Sequence, residues 1–375
     1  MSKLLTPKLL LRGFEIFLVV SLAGWVATLV YGNNLPAFLS SLGRVHVGWL
    51  LVGLGLASMD WLGGGLRLWV LAREVTPRPS LKGMILAGGM GAWAAYVTPL
   101  NSGSGPMIMY TMRRYGVPLP VAVMTTLMSF VATVVFFAIA GPAAILAGAG
   151  KSLGAHGVVL GLSLYDLFLG SLAIFAVLGV VLLVLMVFPR VVLDGVHRLA
   201  RAVGRRSRRL ARRVVQLSAG IDQAHESMVA FNTPRGWLAL FWATLLSGPS
   251  HANKLLAGYV TLRALGIEVN FVDVLLLQTL ITFLLYFAPT PGGAGIAELT
   301  SAGVMSVYLP RELTPIYILI WRMILSYYTI GFGFLVFSHW VRQGLKGIAV
   351  EDAPPLAGAA GGDPDDRIER EAVGA

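Results

Sequence analysis

Cysteine is absent from all 375 residues. Disulfides, thiolate metal sites and cysteine nucleophiles are thereby excluded, although the compartment stays undecided. Charge is scarce too: Asp, Glu, Lys and Arg make up only 13% of the chain, against 56% hydrophobic residues, and the mean hydropathy is +0.76. A soluble globular domain carries about a quarter of its residues charged. The sequence also lacks a Walker sequence, an HExxH pair and a GxSxG elbow. Neither enzymatic activity nor ATP-driven transport by this chain alone is therefore expected. Nothing resembles a zinc or haem site, and no metal or cofactor is predicted.

What is abundant is apolar sequence. Long runs recur at about residues 14–31, 48–71, 83–97, 119–147, 164–188, 237–262, 271–288 and 314–340. Most reach the roughly 20 residues needed to cross a hydrocarbon core, and helices satisfy their own backbone there. The expected fold is an all-α polytopic membrane protein with about seven or eight apolar segments, placed in the cell membrane. The run from Met84 to Tyr96 is shorter and Gly-rich, which suits a half-helix or re-entrant element. Lys3, Lys8 and Arg12 precede the first run, which continues from Phe14 to Tyr31 without a small-x-small cleavage site. A retained anchor is expected rather than a cleaved signal peptide.

The net charge is +11 and the pI about 10.1. In a soluble protein this would raise nucleic acid as a partner. Here none is expected, because nine arginines cluster between Arg190 and Arg213, directly after an apolar run. Cytoplasmic loops carry such an excess. Leu199, Val203, Leu210, Val214 and Leu217 recur at helical spacing, so residues 190–236 are predicted to form a basic amphipathic cytoplasmic loop on anionic lipid headgroups. From Glu351 to Ala375 seven acidic residues face only Arg367 and Arg370, among Pro, Gly and Ala. An integral membrane domain, 1–345, is thus expected to precede an acidic disordered tail, 346–375.

Two Gly/Pro-rich interruptions carry most of the functional signal. Thr98-Pro99-Leu100-Asn101-Ser102-Gly103-Ser104-Gly105-Pro106 follows an apolar run ending at Tyr96, and Pro289-Thr290-Pro291-Gly292-Gly293-Ala294-Gly295-Ile296-Ala297-Glu298 follows one ending at Tyr286. Backbone that leaves the helix at membrane depth survives only where protein or a water-filled cavity covers it, and paired broken segments point to a translocation site. Aligning Thr98-Pro99 and Gly103-x-Gly105 with Thr290-Pro291 and Gly293-x-Gly295 gives an internal repeat offset by about 190 residues, read as inverted halves of a transporter-like fold. Gly63-Gly64-Gly65, by contrast, reads as close helix packing.

Ionisable groups in apolar segments need a partner, a cavity or a function. Asp60 and Arg67 lie close to two helical turns apart and are expected to pair, with each other or with another helix. Glu298 follows the second break and Arg322 lies deep in the last long run. If the chain folds back after Pro291 the two can meet, either as a buried structural bridge or as handlers of substrate or protons. His251 and Lys254 lie one turn apart after Pro249, which frees a backbone carbonyl and predicts a third irregularity. Lys254 either holds a phosphate as a point charge or snorkels to an interface.

These residues resemble the lysylphosphatidylglycerol synthase transmembrane-domain family of flippase-like proteins. The similarity rests on Tyr96-Val97-Thr98-Pro99 through Ser104-Gly105-Pro106, on Arg114-Tyr115-Gly116-Val117-Pro118, and on Ala288 through Glu298 with Trp321-Arg322. It covers about residues 10–345. The resemblance implies movement of an aminoacylated phospholipid or polyprenyl-linked precursor, with Glu298 and Arg322 at the family's acid and base positions. A frequent Gly-Glu-Pro version of the first motif is here Ser104-Gly105-Pro106, which lacks the acid. No soluble aminoacyl-transferase domain is expected, so synthesis of lysyl lipid is not.

The sequence therefore predicts a carrier of a membrane lipid substrate. The amides of Asn101, Ser102, Gly103, Ser104 and Gly105, and of Gly292 to Gly295 after the turn at Pro291, with Gly293 among them, would receive phosphate oxygens, while Arg322, Lys254 and Arg67 neutralise charge. Self-association into a homo-oligomer stays open. The rival reading is a scaffold subunit for a membrane glycosyltransferase or lipid-modifying enzyme, without carrier activity.

Overall fold

The computed structural model describes residues 7–32, 35–43, 45–144, 231–286 and 288–351, with scattered positions between 158 and 180. Residues 190–230 of the basic loop and residues 352–375 lie outside the described residues, and the last residues of the loop as bounded, from Pro234, already belong to a helix. Apart from a two-residue antiparallel ladder, Val158–Val159 with Leu162–Ser163, the described chain consists of helices and their connections. It divides into two compact units, Met1–Gly333 and Phe334–Ala375. All site residues discussed below belong to the first.

In chain order the helices are α1 (Pro7–Gly32), α2 (Leu35–Leu42), α3 (Val47–Ala57), α4 (Met59–Ala72), α5 (Leu81–Tyr96), α6 (Ser104–Arg114) and α7 (Leu119–Ala144). After them come α8 (Pro234–Ser250), α9 (Ala252–Ala264), α10 (Phe271–Tyr286), α11 (Ile296–Met305), α12 (Thr314–Arg322) and α13 (Tyr328–Glu351). A π-helical turn, Met323–Tyr327, joins the last two. Helix α13 continues to Glu351, six residues into the segment expected to be a disordered tail.

Four helical stretches among the described residues are long and apolar enough to cross a membrane: Lys8–Val30, Val47–Ala72, Leu119–Ala143 and Arg311–Gln343. The other apolar runs differ from full spans for identifiable reasons. Residues 164–188 lie mostly outside the description. The run 237–262 is divided at His251, where Pro249 cannot donate to the helix ladder. The runs ending at Tyr96 and Tyr286 each form a 16-residue helix, about 24 Å long at 1.5 Å per residue, short of the roughly 30 Å hydrocarbon thickness.

Those two short helices begin matching hairpins. Helix α5, capped by Ser80, whose hydroxyl accepts from the Gly83 amide at 3.2 Å, turns at Pro99–Asn101 and returns as the 11-residue α6. Helix α10 turns at Pro291–Gly293 and returns as the 10-residue α11. In each, the Thr before Pro is held extended (Thr98 φ −126°, ψ 145°; Thr290 φ −90°, ψ 149°), as sterics before proline require. The next two residues are left-handed: Leu100 and Asn101 (φ 53° and 54°), Gly292 and Gly293 (φ 56° and 65°). The geometry also corrects the register of the alignment, since Gly103 and Gly295 both stand at the N-cap of the returning helix. Gly103 thus corresponds to Gly295, not to Gly293.

Close helix approach surrounds the first hairpin. A Cβ on Gly65 would strike the Ile85 backbone, one on Gly88 would lie 2.5 Å from the Gly65 nitrogen, and one on Gly63 would lie 2.7 Å from the Ser250 nitrogen. The glycine run of α4 therefore lets α5 and α8 pack backbone to backbone, as expected. The second hairpin is bound by a larger apolar cluster that includes Val260, Leu277, Leu280, Val304 and Trp321. Outward positions such as Leu18, Val19, Leu54, Phe241 and Leu245 are exposed and apolar, the reverse of a water-facing surface.

Candidate functional site

The two breaks touch. The Leu100 amide donates to the Ala288 carbonyl at 3.3 Å, and a Cβ on Gly292 would lie 2.8 Å from the Tyr96 carbonyl oxygen and 2.9 Å from the Phe17 ring. Polar side chains that the sequence scatters over 300 residues collect around this junction in two networks.

Glu298 and Arg322 form the first. The fold-back after Pro291 brings α11 against α12, and neither residue has measurable exposure. Arg322 donates from Nε to Oε1 and from Nη2 to Oε2, both at 2.9 Å. Oε1 also accepts from the Ser21 hydroxyl of α1, and Oε2 from the Gly295 amide at 2.8 Å. As residue N3 of α11, Glu298 thus supplies one half of a capping box; the cap is glycine and can offer no side chain in return. Four donors fill the carboxylate's roughly four acceptor positions. The remaining guanidinium hydrogens point at the Gly292 carbonyl (3.1 Å) and, at longer range, at the Gly293 carbonyl and Ser326.

Asp60 of α4 centres the second network. Lys254 Nζ donates to Oδ1 at 2.7 Å, while Oδ2 accepts from Tyr96 (3.0 Å), Asn253 (2.9 Å) and Thr329 (3.1 Å). Asp60 thus also accepts four hydrogen bonds, three of them crowded on Oδ2. Asp60 is buried, and Lys254 keeps 16% side-chain exposure. The π-helical turn links the networks: its Leu325 carbonyl accepts from Asn253 at 3.2 Å, and its Tyr327 hydroxyl bonds Ser21 at 2.8 Å. Such turns interrupt helices mostly at functional positions.

Asp60 and Arg67, expected to pair with each other or with another helix, do not pair with each other. Two helical turns proved too long for contact, and Asp60 found its cation on α9. Arg67 Nη1 instead donates to Thr133 of α7 (2.6 Å) and Ser247 of α8 (3.2 Å). The Ser247 carbonyl takes the neighbouring His251 Nδ1 at 2.8 Å; because a carbonyl only accepts, Nδ1 carries the proton. The buried imidazole lies edge-on to Phe137, with ring centroids 5.3 Å apart.

The glycine breaks depart from the expected amide cradle. The Gly103 amide is held by Thr98 Oγ1 at 2.8 Å, that of Gly293 by the Thr290 carbonyl at 3.0 Å, and that of Gly295 by Glu298. Gly292 and Gly293 present carbonyls, not amides, to the interior cation. Pro291 is buried beside them, Asn101, Ser104 and Gly105 are partly exposed, and Ser102 is exposed.

Residues 14–333 match the lysylphosphatidylglycerol synthase TM region among known protein families. The chain belongs to this family. A search of curated proteins finds no match. Family membership and several long apolar helices make it a multi-pass membrane protein with a membrane-lipid-related function. Asp60, outside the first motif, places a buried carboxylate against Tyr96. Sequence reasoning missed Ser21, Tyr96, Asn253, Tyr327 and Thr329 as network members. Their one signal was a hydroxyl or amide within an apolar run.

Proposed function

We propose that this chain moves a phospholipid or polyprenyl-linked lipid across the cell membrane, the headgroup passing through the polar junction between the hairpins and the acyl chains staying in lipid. The observation that carries this reading is the contact between two hairpins broken at the same Thr-Pro turn, flanked by two carboxylate–cation networks in an apolar body. Paired broken helices at a repeat interface are how transporters build a mid-membrane site. The hairpins are re-entrant elements of an inverted repeat in this account, and the chain acts as a carrier without enzymatic chemistry. Its partners are the lipid itself and, at residues 190–236, anionic headgroups.

A second reading has its own support. Both carboxylates accept four hydrogen bonds, an arrangement suited to a static scaffold for a lipid-modifying enzyme. Reconstituted vesicles decide between them: a carrier accelerates exchange of a fluorescent lipid between leaflets, and a scaffold leaves it at the protein-free rate.

A further inference from the structure

Among the described residues three cations lie in the interior around the junction, and only two are bonded to carboxylates. Arg322 is held by Glu298 and Lys254 by Asp60. Arg67 is hydrogen-bonded to hydroxyls alone and feels the carboxylate of Asp60 only without contact. The hydrogens of those hydroxyls are committed to their own helices, Thr133 to the Ser129 carbonyl (3.1 Å) and Ser247 to the Ala243 carbonyl (2.9 Å), so their lone pairs are turned to the guanidinium. They satisfy Nη1 without balancing its charge. Among the described residues the buried Nε meets no acceptor, and both described bonds leave from Nη1. The edge formed by Nε and Nη2 is therefore left over. It is the edge that Arg322 presents to Glu298, where it spans two oxygens of one anion.

We propose that the Nε/Nη2 edge of Arg67 binds a phosphate-type oxyanion. A buried guanidinium among apolar helices is costly without a counter-ion, and its planar fork matches two phosphate oxygens. Arg67 as a whole is partly exposed, although its Nε is buried. Tyr286, at the end of α10, and His251 both lie within electrostatic reach of Arg67 and Lys254. The position thus gathers α4, α7, α8 and the entry to the second break. This inference rests on the lipid-carrier reading only for the source of the anion: a headgroup phosphodiester and free phosphate share the chemistry.

The test is thermal unfolding of the full chain in a neutral detergent, titrated separately with inorganic phosphate and with short-chain phosphatidylglycerol at matched ionic strength. The parent melts higher with at least one of them, and the arm that responds names the source. R67Q loses the anion-dependent rise, yet without anion melts no lower than the parent, because the uncompensated charge has gone. R67K keeps the charge and loses the fork, so binding weakens about tenfold, the loss of roughly one charge-assisted hydrogen bond; it carries the test should R67Q not fold. Parent protein with no response to either anion, or R67Q or R67K with parental affinity, overturns the site. Anion binding lost in R67Q while the parent moves no lipid in vesicles would retain the site and dismiss the carrier. Lipid movement in a parent that binds neither anion would do the opposite.

Discussion

Arg322 grips Glu298 through two parallel hydrogen bonds of 2.9 Å, and the same guanidinium donates to the carbonyl of Gly292 in the second break. One side chain thus holds both the start of α11 and the turn that precedes it. Breaking a buried pair by removing one partner costs about 3–5 kcal/mol. E298Q and R322Q should each lower thermal stability in detergent by that order. The double variant should recover only part of the loss, because the Gly292 carbonyl loses the donor it had in Arg322. Full recovery would mean that the pair carries no more than its own charges.

The Asp60 network predicts an asymmetry. D60A strands Lys254 together with the donors of Tyr96, Asn253 and Thr329, whereas K254M leaves Asp60 with three neutral donors. Unfolding in detergent should show D60A as the more damaging change. A double-mutant cycle between the two should give a coupling of about 0.5–3 kcal/mol. Equal single-variant losses with no coupling would remove Lys254 as the counter-ion.

Much of this arrangement was legible in the residues themselves. The pairing of Glu298 with Arg322 could be foreseen because Pro291 and the glycines after it force a fold-back, and little else in that stretch can neutralise an arginine. Asp60 and Lys254 stood out singly, as charges in apolar runs. Their partnership did not, since 194 positions separate them and helix periodicity reports a face without naming what covers it. The neutral members were harder still. Thr126 and Thr261 bond their own helices at Ala122 and Ala257, as such residues commonly do in membrane helices. Nothing local distinguishes them from Thr329 or Ser21, which reach across the fold. The register of the alignment failed for a related reason: matching glycine to glycine ignores that the two left-handed positions of the first break are filled by Leu100 and Asn101.

That substitution of backbone roles is testable. Leu100 is 58% exposed and left-handed, a conformation that costs a side-chain-bearing residue about 1–2 kcal/mol. L100G should be neutral or stabilise by up to about 1 kcal/mol once the extra freedom of glycine in the unfolded chain is counted. G292L should destabilise, as its Cβ meets Tyr96 and Phe17. Melting temperatures moving in the same direction for both would contradict the shared turn.

The glycines of α4 and α5 give a further contrast. G88A drives a methyl group into the Gly65 backbone, and overpacking of that kind costs about 1–3 kcal/mol. A Cβ on Gly303, in α11, meets nothing within 4 Å, so G303A should stabilise by up to about 1 kcal/mol through helix propensity. Unfolding measured side by side in one detergent checks both. A tolerated G88A would show that α4 and α5 can separate without loss.

The central claim is that this chain carries a lipid headgroup past the junction of its two broken hairpins. The most direct test reconstitutes the full chain in vesicles containing fluorescent phosphatidylglycerol and follows quenching by an impermeant reductant, which reaches only outer-leaflet lipid. The account predicts that the parent exposes inner-leaflet lipid faster than protein-free vesicles do, and that R67Q and D60A, checked for folding, fall to the protein-free rate. Parent protein indistinguishable from protein-free vesicles would contradict it.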